Sequence, residues 1–241
     1  WQSEQPDLSG NSPELNLFNI LGNLDSCIRQ FTYENFSNGH WKDTSTIIQI
    51  EPEGDYAAIG IRNSFGLAVD PQTGYLWDTE NGPDVYDEIN LVENKFNSGW
   101  AKIQGPSNGK TIPQVPGYEN YHYSEPEFSW ELPVGVTAIE FPNSIDFKKY
   151  KDFLFVADSN NGIIYKFKLD DTRTEFIFQS PHLQDNILNI SQNSDDGSLT
   201  ESRDEIVFAK NLGLISDMKF GPDGALYVIS LMEGKIYKIS S

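Results

Sequence analysis

The sequence predicts an all-β protein built from repeated three-strand units, and three observations support this. Aromatic residues make up 13% of the 241 residues, and 19 glycines and 13 prolines interrupt the chain often, which is typical of many short strands joined by turns. An order of strand, Pro/Gly turn, strand, loop and strand recurs along the chain. Within one unit, Ile163, Tyr165 and Phe167 alternate with neighbours that include Lys166 and Lys168, which is the period of a strand with one wetter face.

The recurring unit predicts the architecture. Its strands are expected at 66–71, 75–79 and 88–92, then at 136–142, 153–158 and 162–167, and finally at 215–222, 225–230 and 234–239. Three-strand units that repeat between loops are typical of β-propeller blades. The last unit is of the kind that closes a propeller ring against its first blade.

Length and charge limit the remaining possibilities. One domain is expected at this length, with a polar, irregular segment over 1–45 and blades over 46–241, including strands near 46–50 and 56–61. The formal net charge is −19, which argues against binding to nucleic acid or to anionic lipid. No run of 18 apolar residues predicts a membrane span. The single cysteine, Cys27, excludes an internal disulfide.

Residues 61–100 contain the densest set of special-purpose residues. Asp70-Pro71 followed by Gly74 predicts a tight turn between two strands. Asn81-Gly82-Pro83 is incompatible with regular structure, because glycine permits unusual backbone angles and proline removes a donor. Such a loop leaves carbonyl oxygens unpaired, and oxygen ligands are what a hard cation such as calcium prefers. A solvated acidic hairpin loop explains the same residues, so both interpretations stay open on spacing alone.

Five motifs follow one another in this segment: R-N-x-x-G-L at 62–67, D-P-x-T-G-x-L-W at 70–77, N-G-P-D at 81–84, D-E-I-N-L at 87–91 and N-x-G-W at 97–100. Together they resemble the signature of the glucose/sorbosone dehydrogenase family, soluble sugar dehydrogenases that use pyrroloquinoline quinone (PQQ). The resemblance is strongest over 56–104, weaker over 133–169 and 205–240, and poor before about residue 46.

The resemblance implies a six-bladed β-propeller of which this chain holds the later blades, about four at most. The remainder of the ring would come from a longer parent chain or from a partner in an oligomer. It also implies calcium and PQQ as cofactors, a sugar substrate, a separate electron acceptor, and an extracellular or periplasmic location. A site for PQQ needs calcium to polarise the quinone and a base to take the sugar proton.

Site residues follow from the resemblance one by one. Arg62, Asn63 and Asn81 match positions that lie against the cofactor, with a blade-linking salt bridge as the alternative role of Arg62. Gly82 and Pro83 match positions whose backbone carbonyls hold the cofactor calcium and lie against PQQ.

Glu88 matches a carboxylate of a second, structural calcium in some members of the family, and its alternative role is that of a solvated loop acid.

Several family features are missing from the sequence. The family's catalytic base is a histidine before a Gly-rich strand turn on an early blade, and none of His40, His122 and His182 has that context, so no catalytic residue is assigned. Some members have lysine where this chain has 159–161 and arginine where it has 214–216. Both differences remove cationic partners for the carboxylates of PQQ.

Two long loops interrupt the repeat. Residues 104–132 are rich in Gly, Pro, Tyr and Trp, and they either line a substrate cleft or pack under a long loop. Residues 191–205 are acidic without the ligand spacing of an EF-hand, which predicts a solvated loop.

The leading functional hypothesis is PQQ- and calcium-dependent oxidation of an aldose to its lactone by hydride transfer. The alternative is a non-catalytic calcium-binding propeller that acts as a carbohydrate or protein binding module. A calcium-dependent lactonase propeller is a weaker third hypothesis, because it does not explain Arg62-Asn63 together with 81–84 and 87–90.

Overall fold

The computed structural model describes residues 35–37, 40–42, 56–112, 114–189 and 203–240. Two 3-10 helices occur there, η1 (Ile145–Tyr150) and η2 (Pro181–Leu183). No helix among these residues is long and apolar enough to cross a membrane. The strands are β1 (Asn35–Ser37), β2 (His40–Lys42), β3 (Ala58–Ile59), β4 (Ser64–Val69), β5 (Leu76–Glu80), β6 (Asp87–Val92), β7 (Phe96–Asn97), β8 (His122–Tyr123), β9 (Phe128–Trp130), β10 (Val136–Glu140), β11 (Phe153–Asp158), β12 (Ile164–Lys168), β13 (Ile187–Leu188), β14 (Val207–Ala209), β15 (Ile215–Phe220), β16 (Leu226–Ser230) and β17 (Lys235–Ile239).

The three strand units predicted from the sequence are present, and the all-β fold is confirmed. β4-β5-β6, β10-β11-β12 and β15-β16-β17 are antiparallel meanders. Their bounds agree with the predicted strands to within two residues. Hairpins with turn residues at fixed places are read well from a sequence, because the turn fixes the register of the strands beside it.

Several pairings were not predicted. β9 pairs with β6, β13 adds in parallel to β9, and β14 pairs with β12, so two of the meanders gain outer strands. β3, β7 and β8 form a separate parallel sheet. Each of these strands is only two or three residues long and pairs across long loops, so its own sequence gives little signal of it.

The meanders are stacked as blades, with β10 between β4 and β15. The middle strand β11 shows how each blade serves two interfaces, because successive side chains of a strand point to opposite faces. Leu154 and Val156 join the core shared with the first blade, whereas Phe155 and Ala157 join the core shared with the third. A strand buried on both faces reads as a continuous apolar run, as 153–157 does.

The outer faces of the first and third blades carry exposed apolar side chains. On β4, Phe65 is 67% and Leu67 60% exposed, while Gly66 and Ala68 on the other side are buried against the neighbouring blade. On the third blade, Ile229 and Ile236 are exposed in the same way. Each end of the described stack therefore presents the kind of face that the blade interfaces bury.

The buried aromatic residues of 104–132 pack against other parts of the chain, while much of the rest of this segment is exposed. Tyr121 is buried, its hydroxyl donates to the carbonyl of Tyr56 at 2.7 Å, and Tyr118 packs edge-on against it. Trp130 is fully buried on β9, in the core between the first two blades. The predictions for 46–50, for Cys27 and for most of 1–45 and 191–205 fall outside the described residues.

One buried ion pair ties the first β-turn to the second blade. The guanidinium of Arg173 holds both carboxylate oxygens of Asp70, at 2.6 and 3.0 Å, and both side chains are almost completely buried. Burial alone would raise the pKa of Asp70, but hydrogen bonds from Arg173, Gln72 and Thr73 outweigh it and hold the pKa below its ordinary value. Removing the arginine leaves a buried carboxylate without its cation.

We expect Arg173→Met to lower the free energy of unfolding at pH 7 by about 3–5 kcal/mol, the usual cost of breaking a buried pair from one side. Urea titration followed by circular dichroism measures it. Lys235→Met is the matched control, because it breaks the solvated Lys235–Glu233 pair and should cost at most about 1 kcal/mol. Equal losses in the two variants would show that the buried pair has no special role.

Candidate functional site

The candidate site surrounds the loop 81–86, which joins β5 to β6. Gly82 is required at its tightest point, since a Cβ atom there would overlap the carbonyl oxygens of Val85 and Tyr86. The N–H of Tyr86 donates to the carbonyl of Glu131 at 3.1 Å, which fixes the far end of the loop to the strand β9 side of the blade. Steric need, not only backbone freedom, therefore explains the glycine.

Arg62, Asn63 and Asn81, which the resemblance assigned to the cofactor site, lie close together. The Nη1 of Arg62 donates to the carbonyl of Asn81, and its guanidinium carbon lies 5.1 Å from the centre of the Trp100 ring. The backbone and side-chain nitrogens of Asn81 both donate to the carbonyl of Asn63, at 3.0 and 3.3 Å. Arg62 therefore holds the loop, and its planar group is oriented by the indole.

The other side of the loop is held from the next blade. Oδ1 of Asp87 accepts the N–H of Gly82 at 2.9 Å, and its Oδ2 accepts the N–H groups of Val134 and Gly135 at 2.7 and 2.6 Å. The Nδ2 of Asn81 donates to the carbonyl of Val136 at 2.8 Å. Asp87 is fully buried, and burial raises its pKa despite these donors.

The carbonyls predicted to bind a cation remain available. Among the hydrogen bonds of the described residues, none ends on the carbonyl oxygen of Gly82 or Pro83. Pro83 is exposed and Gly82 is half-buried. The carbonyls of Asp84 and Val85 likewise accept no hydrogen bond from the described residues, so the loop can supply several oxygen ligands to a hard cation, and its geometry is compatible with the predicted role of Gly82 and Pro83.

Glu88 lies away from this loop because neighbouring residues of a strand point to opposite faces. Asp87 faces Gly82, whereas Glu88 is opposite Glu80 on β5 and accepts the N–H of Gly105. Glu88 is 3% exposed, so it is not the solvated acid that the alternative interpretation expected. The structure thus places Glu88 on a different face of the hairpin from the loop that contains Gly82 and Pro83.

Sequence reasoning missed two further acids on that face. Asp78 and Glu80 alternate along β5 and stand opposite Asn90 and Glu88, so four buried polar side chains share one side of the hairpin. The signal was present, since acids at positions 78 and 80 interrupt a predicted strand at its period of two. Nothing in the sequence showed that this face would be buried, because the segments of β3 and β7, which lie outside the hairpin, pack on the same face at Leu76 and Val92.

These acids raise one another's proton affinity. Burial and the repulsion of Glu80 raise the pKa of Asp78 well above its ordinary value. Burial, then the charge of Glu80, raises the pKa of Glu88 to about 8. Neither carboxylate oxygen of Asp78 accepts a hydrogen bond of ordinary geometry in the described part of the chain, although Asn90 and Ser64 lie close enough to offset part of the rise in its pKa. Glu80 accepts from the N–H of Arg62 at 2.7 Å.

No arrangement of three or more His, Cys, Asp and Glu side chains suited to a metal ion occurs among the described residues.

Residues 159–161, where some relatives have lysine, contain no basic side chain, and the two described histidines do not contact this loop. Ser159 and Asn160 donate to the backbone of 133–135. His122 is exposed and lies 3.1 Å from Glu93, and His182 is in η2. The side chain of His40 lies outside the described residues.

Comparison with known proteins decides the relationship. A sequence profile described as Glucose / Sorbosone dehydrogenase matches residues 51–238, more than half of the chain.

The chain belongs to this family. The aldose sugar dehydrogenase YliI of Escherichia coli (strain K12) is 29% identical over 185 residues, which cover 75% of this chain and 42% of that protein. A crystal structure described as glucose dehydrogenase superposes with a TM-score of 0.54 at 23% identity, over 76% of this chain and 46% of the other. The chain therefore spans less than half the length of these relatives. The structural likeness supports the predicted propeller-type fold.

Another carboxylate, Glu127 before β9, makes stability depend on pH. Its Oε2 accepts the N–H of Leu91, and burial raises its pKa to about 8, with the charges of Glu93 and Glu175 adding to the rise. A pKa raised in the folded state means that the folded protein holds a proton that the unfolded chain has lost. The free energy of unfolding therefore falls as pH rises from about 4.5 to about 8.

We expect Glu127→Gln to reduce this loss, so that the variant gains stability relative to the wild type as pH rises from 5 to 8. A gain of 1 kcal/mol corresponds to about 2–4 °C in Tm for a chain of this size. Thermal melts at several pH values measure it, with the exposed Glu119→Gln as the control. Parallel curves for the wild type and Glu127→Gln would contradict the assignment.

Proposed function

We propose that this chain carries part of the cofactor site of a PQQ- and calcium-dependent aldose dehydrogenase, which oxidises a sugar hydroxyl to a lactone by hydride transfer. The observation that supports this most is the loop 81–86, whose carbonyls at Gly82 and Pro83 are free while the loop is held on both sides. When bound, PQQ supplies the hydride acceptor. Family membership supports the proposed reaction, and the geometry of the loop 81–86 supports its proposed location.

The residues present fit the calcium end of such a site. Gly82 and Pro83 would hold calcium through their carbonyls, while Asn63 and Asn81 would lie against PQQ at the exposed side of the loop. Arg62 would act in two ways. Arg62 fixes the loop by donating to the carbonyl of Asn81. Its guanidinium group has further donors, and the buried Nε atom has no hydrogen-bond partner in the described residues.

Glu88 would contribute to a second, structural cation, although the acids around it do not form a metal-ligand cluster in the described part of the chain. Three carboxylates buried on one face, at Asp78, Glu80 and Glu88, are costly to ionise together. A bound cation would offset that cost and lower the pKa of Glu88 from about 8, since the charge of an ion reverses local pKa effects. The oxygens of Asp78, which accept no hydrogen bond of ordinary geometry from the described residues, are the specific observation that favours this role.

The binding-module alternative also has an observation in its favour. Where some relatives have lysine, this chain has Ser159 and Asn160, whose neutral side chains offer PQQ no positive charge. Both side chains donate hydrogen bonds to the backbone of the adjoining linker. In a non-catalytic propeller the calcium loop would persist without the cofactor. A sugar or an extracellular protein would then be the ligand, and family membership is the support for an extracellular or periplasmic setting in either case.

Calorimetric titration of PQQ into the 241-residue protein, once with calcium and once with chelator, distinguishes the two functions. The dehydrogenase proposal expects near-stoichiometric binding that requires calcium. A folded protein that binds calcium but no PQQ would support the binding module, and a folded protein that binds neither would contradict both.

We further expect Gly82→Ala to weaken calcium-dependent PQQ binding by at least about tenfold, because the added methyl group displaces the carbonyls that surround it. Gly74→Ala is the matched control. Gly74 lies in an exposed turn with open space around it and a φ of +79°, so its change should cost stability without altering the affinity. Equal affinities for both variants would remove the loop from the site.

A further inference from the structure

The carboxylate of Asp87 is the point where two separate pieces of backbone meet. It accepts one N–H from Gly82 in the loop 81–86, and two from Val134 and Gly135 in the linker that leads into β10. The loop belongs to the first blade and the linker begins the second, 47 and 48 residues further along from Asp87. No water competes for these bonds, because the side chain is fully buried.

The linker 133–136 in turn accepts hydrogen bonds from the loop 159–161. The N–H and the hydroxyl of Ser159 both donate to the carbonyl of Gly135, at 2.8 and 3.1 Å. The N–H of Asn160 donates to the carbonyl of Val134 at 3.1 Å. A continuous hydrogen-bonded path therefore leads from the carbonyl loop, through Asp87 and the linker, to the loop 159–161.

Only a carboxylate satisfies this arrangement. Both oxygens of Asp87 are used as acceptors, Oδ1 by Gly82 and Oδ2 by the linker. An asparagine would place an NH₂ group against at least one N–H donor, whichever way its amide is turned. A buried N–H that loses its acceptor is costly, and more so when the acceptor was charged.

We propose that Asp87 is a positioning residue: its carboxylate locks the loop 81–86 to the linker 133–136, so that the carbonyls of Gly82 and Pro83 are held ready before any ligand binds. The inference rests on the proposed function only for what the carbonyls bind. The lock itself is a property of the free protein, and it is measured without ligand.

Amide exchange followed by NMR in the calcium-free protein tests the lock directly. In the wild type, the amides of Gly82, Val134 and Gly135 should show similar, high protection, because one opening event releases all three. In Asp87→Asn we expect exchange at these amides to accelerate by on the order of tenfold or more, the effect of losing hydrogen bonds to a charged acceptor.

Asp170→Asn is the matched control. Asp170 also accepts three backbone N–H groups, from Thr172, Thr174 and Glu175, but in a turn that follows β12. This variant should accelerate exchange in its own turn and leave the three amides at Asp87 unchanged. The comparison removes the general effect of neutralising an aspartate that caps backbone donors.

Calcium-dependent PQQ binding supplies the functional readout. If the wild type binds, Asp87→Asn should bind at least roughly tenfold more weakly, as is usual when a residue that orients metal ligands is replaced, while Asp170→Asn binds as the wild type does. Unchanged affinity together with unchanged exchange in Asp87→Asn overturns the positioning role. Absence of binding in the wild type, with the expected exchange pattern, overturns the proposed function and leaves the lock standing.

If Asp87→Asn does not fold, the wild-type protein still decides the matter. Exchange of the Gly82 amide much faster than that of Val134 and Gly135 would show that the loop opens independently of the linker, and the proposal would be wrong. Equal protection of the three amides over a range of denaturant concentrations supports the proposal.

Discussion

The structure depends on one constraint, which is that a middle blade must bury both of its faces. Strand β11 meets it by sending Leu154 and Val156 to one core and Phe155 and Ala157 to the other. Because apolar side chains occupy both faces of the middle blade, the polar side chains discussed above lie in the loops at the blade ends and on the hairpin face beneath β3 and β7. The candidate site lies where these two regions meet, at the turn from β5 to β6.

The buried polar groups at that turn have partners within the protein. Asp87 uses three N–H donors, and Arg62 uses the carbonyl of Asn81 and the face of Trp100. Among the described residues, the carbonyls of Gly82 and Pro83 are among the groups of this loop that accept no hydrogen bond. A loop held rigid with unused acceptors loses little entropy when a cation binds, which is the benefit of preorganisation.

The sequence predicted the meanders and the residues around Gly82 because both have local signals. Turn residues predicted the hairpins, and five motifs in order indicated the family resemblance. The acid face was harder to predict, since Asp78 and Glu80 could as well have faced water if the short strands β3 and β7 had not packed on that side of the hairpin. The bonds from Asp87 to Val134 and Gly135 were likewise invisible, because they join segments more than forty residues apart and leave no local pattern.

In the proposed site, the loop 81–86 presents the carbonyls of Gly82 and Pro83 to a cation. Crystals of the protein grown with calcium and PQQ, with anomalous scattering used to locate calcium, test this arrangement. We expect an anomalous peak about 2.3–2.6 Å from both carbonyl oxygens, the usual calcium–oxygen distance. Calcium found only on the face of Asp78 and Glu88, with no peak at the loop, would contradict it.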